Sequence, residues 1–127
     1  MIFEHFALNV LNTLEFVEWY TSNCEMKIAR AMTTPPFTHF LTDSTGRTVI
    51  EIYSNPSAKI PDYNLMHPLE FHFAFTVNDI EYVKEKLISA GAKLVEDFKL
   101  EDGSHIIMLR DPFGIPLQLC RRTKPLV

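Results

Sequence analysis

The sequence predicts an α+β fold in which one βαβββ module is written twice in tandem. Three observations predict it. The segment HFALNV, His5 to Val10, recurs as HFAFTV, His72 to Val77, with four of six positions identical. The same shift of 67 residues pairs Glu18 with Glu85, Ser22 with Ser89 and Glu51 with Gln118, so one register runs from the first strand to the last. Each copy also passes from period-two alternation to a helical stripe and back. The modules span about residues 1–54 and 69–123 of a single domain, 1–127.

The elements follow in order. Residues 2–10 alternate, with Phe6, Leu8 and Val10 on one face and His5, Ala7 and Asn9 on the other. Asn12 followed by Glu15 three positions later is a capping-box-like helix start, and Leu14, Phe16, Val17 and Tyr20 carry the stripe to about Asn23. Strands follow near 26–32, 36–42 and 47–53, the last after the turn Thr42-Asp43-Ser44-Thr45-Gly46. The stretch 55–68, NPSAKIPDYNLMHP, holds three prolines and reads as a linker or exposed loop. In the second copy Ile80, Val83 and Leu87 repeat the stripe, Gly91 stops it, and strands follow near 93–98, 104–110 and 115–121, the last after Asp111-Pro112-Phe113-Gly114.

Composition narrows the function classes. A 127-residue chain that is 46% hydrophobic and 22% charged buries a core of its own. A formal net charge of −4 argues against a nucleic-acid partner. No apolar run reaches the roughly 18 residues of a membrane span. MIFEHFALNV has no basic n-region and no small-residue cleavage site, and Cys24 and Cys120 make neither a disulfide framework nor a zinc-knuckle spacing. The expectation is a reduced, cytoplasmic protein with neither membrane nor nucleic acid as partner.

Strand parity then sorts the polar side chains. His5 lies opposite Phe6, Leu8 and Val10; His72 lies opposite Phe71, Phe73 and Phe75; Glu51 lies opposite Ile50 and Ile52; Gln118 lies opposite Leu117 and Leu119. The apolar face of each strand covers its helix, so these four residues point away from the helices. Two imidazoles, a carboxylate and an amide at repeat-related positions are a donor set suited to a divalent ion such as zinc, nickel, manganese or iron.

The same residues carry a resemblance. EHFALNV followed by NTLEFVEWY, then MKIAR, VIEIYSN, FHFAFTV and DPFGIPLQL, in this order and over essentially the whole chain, resemble the vicinal oxygen chelate superfamily. That superfamily includes glyoxalase I, bleomycin-resistance proteins, fosfomycin-resistance enzymes, extradiol dioxygenases and methylmalonyl-CoA epimerase. The resemblance implies curved mixed sheets around a cavity with helices on the outer face, a homodimer, and a small-molecule substrate. It implies metal ligands at His5, Glu51, His72 and Gln118. Gln118 departs from the carboxylate that glyoxalases place there; an amide oxygen coordinates but is no base, which leaves Glu51 as the catalytic carboxylate, in mirror order to the epimerase. Asn9 stands where related bacterial glyoxalases carry an arginine that helps hold glutathione, and Arg30, Arg47 and Arg110 are the cations left to replace it. Asn9, His39, Tyr53 and His105 are the candidate substrate-binding residues. The implied function is metal-dependent isomerisation of glyoxalase I or epimerase type. The alternatives are a metal-free binding protein like the bleomycin-resistance members and an extradiol-type dioxygenase.

Overall fold

A computed structural model describes residues 1–126, with Thr48 described by its backbone alone. The chain divides into two compact units, Met1–Pro61 and Asp62–Val127. The boundary falls inside the segment that the prolines mark as a linker.

The first unit contains β1 (Phe6–Asn9), α1 (Thr13–Asn23), β2 (Lys27–Ala31), β3 (His39–Thr42) and β4 (Thr48–Tyr53). They form a four-stranded mixed sheet in the order β1-β4-β3-β2, with β1 parallel to β4 and the other pairs antiparallel. The second unit repeats it with β5 (Phe73–Thr76), α2 (Ile80–Ser89), β6 (Lys93–Lys99), β7 (His105–Arg110) and β8 (Pro116–Arg121), in the order β5-β8-β7-β6. The repeat register holds in the pairing itself: Ala7 opposes Glu51 in the first sheet, and Ala74 opposes Gln118 in the second. The predicted tandem βαβββ organisation is the observed one.

Each sheet has one apolar face, and its helix packs there. Leu8, Leu41, Ile50 and Ile52 lie beneath α1, whose Phe16 and Tyr20 are fully buried and stack with ring centroids 4.3 Å apart. In the second unit Ile107, Leu109, Leu117 and Leu119 lie beneath α2, which contributes Ile80 and Leu87. Burying each such side chain contributes about 1.5–3 kcal/mol, so these faces are what holds each sheet to its helix. The helix starts are set locally. The Asn12 side chain accepts from the Glu15 amide at 3.2 Å, and Asp79 accepts from the Tyr82 amide at 3.0 Å.

Two strands are shorter than their patterns. The alternation over 2–10 pairs only over Phe6–Asn9, so His5 and His72 each stand one residue ahead of their strand. The strand expected over 36–42 begins at His39, because Pro35 and Pro36 have no N–H to donate and Phe37 is in the left-handed region at φ 56°.

The segment 55–68 is not a free tether either. The Asn9 amide donates to the carbonyls of Asn55 and Ala58 at 2.9 and 3.1 Å, and its oxygen accepts from the Asn55 N–H at 2.8 Å. Those bonds fasten the start of the segment to the first unit. Further on, Arg110 donates to the carbonyls of Tyr63, Gly114 and Met66 at 2.8, 2.9 and 2.6 Å. Gly114, at φ 87°, leaves no room for a Cβ against the Asn64 side chain. The end of the segment therefore belongs to the second unit.

Candidate functional site

The face of the first sheet away from α1 carries a cross-strand row. Ala7 pairs with Glu51, Glu51 with Phe40, and Phe40 with Arg30, one residue from each strand. Opposed residues share a face, so all four lie on the side opposite Ile50 and Leu41. His5, two residues ahead of Ala7, joins them: its Nε2 stands 3.3 Å from Glu51 Oε2, and its ring meets Phe40 edge-on at 5.4 Å. His5 Nδ1 is buried without a hydrogen bond, and its nearest charge is the Glu4 carboxylate at 3.4 Å. Tyr53 shares the face through its pairing with Asn9.

A bulge makes the row. Ile28 opposes Leu41 on the helix side, yet Arg30, two residues on, opposes Phe40 on the other side, because the register shifts between them. Simple alternation would place Ile28 and Arg30 together. The extra residue, Ala29, turns the guanidinium onto the His5/Glu51 face.

The second sheet carries the equivalent row Ala74, Gln118, Met108, Glu96, with a matching register shift between Leu94 and Glu96. Gln118 Oε1 accepts from Cys120 Sγ at 3.0 Å. Burial pushes the Cys120 thiol up, against a smaller downward pull from Arg122, so the sulfur keeps its proton and stays a donor at neutral pH. An amide oxygen has a second lone pair, so this bond does not exhaust Gln118. His72 is exposed, and its Nδ1 lies 2.7 Å from the Pro68 carbonyl. A carbonyl only accepts, so Nδ1 is the donor, and in the neutral imidazole that leaves the lone pair on Nε2, the tautomer that binds a metal through Nε2.

The structure brings the two remaining candidate histidines to the other face. His39 opposes Ile52 on the α1 face, is buried, and bonds through Nδ1 to the Phe37 carbonyl at 2.7 Å. His105 is likewise buried on the α2 side, with Nε2 2.6 Å from Asp97 Oδ1 and Nδ1 3.9 Å from Glu81. The physical reason is parity: both histidines share the face of the buried aliphatic residues of their strands. The Asn9 amide is engaged with the backbone of 55–58.

Around His105 lies a cluster that the sequence reading did not single out. Donor atoms of Glu81, Asp97 and His105 all fall within 4.8 Å of one another, a spacing that could hold a metal ion. Lys84 Nζ, however, stands 2.5 Å from Glu81 Oε2 and 3.1 Å from Asp97 Oδ2. The ammonium already pairs with both carboxylates of the cluster. The bond from His105, then that from Lys84, holds the Asp97 carboxyl below its ordinary range, while Glu81 and Asp97 raise the Lys84 ammonium. Glu81 and Lys84 are three residues apart on α2, and Asp97 enters from β6.

The sequence profile of the Glyoxalase/Bleomycin resistance protein/Dioxygenase superfamily matches residues 2–119. Among solved structures, a glyoxalase I variant from Zea mays is 25% identical with a TM-score of 0.71, covering 94% of this chain and 45% of that one. The fosfomycin resistance protein FosX from Listeria monocytogenes is 14% identical with a TM-score of 0.73, covering 97% and 94%. TnmS3, an antibiotic binding protein from Streptomyces sp. CB03234, is 11% identical with a TM-score of 0.73, covering 97% of both chains. No curated protein matches the sequence significantly. Among the described residues, no helix is long and apolar enough to cross a membrane.

Proposed function

The chain belongs to the Glyoxalase/Bleomycin resistance protein/Dioxygenase superfamily, and on that premise we propose that it is a small-molecule metalloenzyme of glyoxalase I or epimerase type. The observation that carries the reading is the His5–Glu51 pair. Two ligands of one tetrahedral ion bonded at about 2.0–2.1 Å stand about 3.3 Å apart, and Nε2 and Oε2 are 3.3 Å apart. In the second unit the His72 imidazole and the second lone pair of Gln118 are donors of the same kinds at the repeat-related positions. His5, Glu51, His72 and Gln118 are thus the ligands proposed for a divalent ion, which would polarise neighbouring oxygens of the substrate.

The chain's own residues supply the rest. Glu51 is the carboxylate of its row, and its Oε1 is the atom assigned to take a proton from the carbon beside the polarised oxygens and return it. Gln118, an amide, takes no part in that transfer. Phe40, edge-on to His5, walls the imidazole on one side and limits water there. The second reading, a metal-free binding protein, draws on the Cys120–Gln118 bond, which satisfies part of the amide without an ion.

Elemental analysis by plasma mass spectrometry decides between them. It is run on the purified chain, after reloading with nickel, zinc, manganese or iron, and on His5→Ala and His72→Ala variants. Bound metal at a fixed stoichiometry, lost in the variants, is the expected result. No metal under any loading condition overturns the enzyme reading and leaves the binding one.

A further inference from the structure

The guanidinium groups of Arg30, Arg47 and Arg110 differ in what they already hold. Arg47 donates to the Phe3 carbonyl at 3.1 Å, and Arg110 is bound to three carbonyls within the second unit. Arg30 is exposed, and among the described residues its guanidinium makes no hydrogen bond or ion pair. It also sits in the same cross-strand row as Glu51, with Phe40 between them. Strands lie about 4.8 Å apart, so two steps across the sheet put the Arg30 and Glu51 backbones about 10 Å apart, with one aromatic ring between the charges.

We propose that Arg30 reads an anionic group on the small molecule that this site takes. The ligand is a flat or apolar body lying over Phe40, with vicinal oxygens at the His5/Glu51 end and a carboxylate or phosphate at the other. This rests on the reading of His5 and Glu51 given above. Three features support it. The bulge at Ala29 turns Arg30 onto this face and away from Ile28. The guanidinium is a planar fork that matches carboxylate and phosphate oxygens. In the second unit the equivalent position is Glu96, which would repel an anion, so the cation belongs to the row that carries the carboxylate. Charged side chains and bulges on edge strands also discourage strand pairing. That role is indifferent to what binds beside Glu51, so ligand binding separates the two.

The test is calorimetric titration of the full chain, as purified and zinc-loaded, with 3,4-dihydroxycinnamate, its neutral amide, and 2-(3,4-dihydroxyphenyl)ethylphosphonate. The chain is expected to prefer an acid over the amide by about tenfold; which acid binds tighter tells carboxylate from phosphate. Arg30→Gln should abolish the preference while leaving amide affinity within about twofold, and Arg30→Lys should keep part of it. Thermal melts of Arg30→Gln unchanged from the parent confirm that folding is intact. Glu51→Gln should weaken acid and amide alike and leave their ratio unchanged. A preference that survives Arg30→Gln, no preference in the parent chain, or no binding of any probe overturns the proposal. If Arg30→Gln removes the preference but Glu51→Gln and His5→Ala leave affinity unchanged, the Arg30 assignment stands and the metal-and-carboxylate reading falls.

Discussion

The two units share a strand order and a pairing register, yet the faces away from their helices are chemically opposite. In the first unit the row reads Ala7, Glu51, Phe40, Arg30, with His5 at 3.3 Å from Glu51. In the second it reads Ala74, Gln118, Met108, Glu96, with the Gln118 oxygen occupied by a thiol donor. Carboxylate stands against amide, aromatic ring against thioether, cation against anion. A duplicated fold holds backbone positions in common because the helix-side faces are held in common. The opposite faces are free of that demand, and there the copies differ: one row carries a carboxylate beside an imidazole and a guanidinium across the sheet, the other an amide and a carboxylate.

The largest effect should come from erasing that difference. Glu51→Gln makes the first row resemble the second and should lower proton exchange at a carbon beside a carbonyl by about 10²–10⁴-fold, the usual worth of a general base. Deuterium incorporation followed by NMR with α-hydroxyketone substrates checks it; unchanged exchange removes Glu51 from the mechanism. Adding Gln118→Glu to that variant moves the carboxylate to the other copy and should restore metal content, measured by plasma mass spectrometry.

The shared faces should respond alike. Ile52 and Leu119 are repeat-related and fully buried beneath α1 and α2. Ile52→Ala and Leu119→Ala should each cost about 2–5 kcal/mol in urea unfolding, and a marked inequality would show that one unit carries the stability of both.

The fastenings of the connecting segment should differ in degree. Arg110→Ala strips a charged donor from three carbonyls and should cost about 2–3 kcal/mol, against about 1–2 kcal/mol for Asn9→Ala. Limited proteolysis should cut near 62–66 in the first variant and near 55–58 in the second.

The smallest effect concerns the cluster beneath α2. Asp97 is lowered and Lys84 is raised, so both are charged through the neutral range. The Asp97 contribution is full above the ordinary carboxylate range and is lost as pH falls through its depressed value; the Lys84 contribution is full below the ordinary lysine range and is lost as pH rises through its raised value. Lys84→Met should lower the melting temperature slightly between those limits, and less in high salt, since the pair is partly exposed. The same variant tests the cation's place: zinc binding that requires Glu81 and Asp97 should appear only once the ammonium is removed.

Much of this was legible in the chain. The 67-residue register, the Asn12 cap and the helix-side faces follow from local patterns, and the positions of His5, Glu51 and Gln118 on the opposite faces follow from parity. These properties need only the period of a strand or a helix, which each residue carries with it. What only the tertiary structure decided depends on pairing between distant segments. Whether 2–5 joined the first strand was set by the partners β4 offers, and the face of Arg30 was set by a register shift against β3. His39 and His105 went beneath the helices because their strands begin in phase with buried aliphatic neighbours. An alternating pattern tells two faces apart, but one inserted residue exchanges them, and only the hydrogen bonds of the neighbouring strand show where that residue lies.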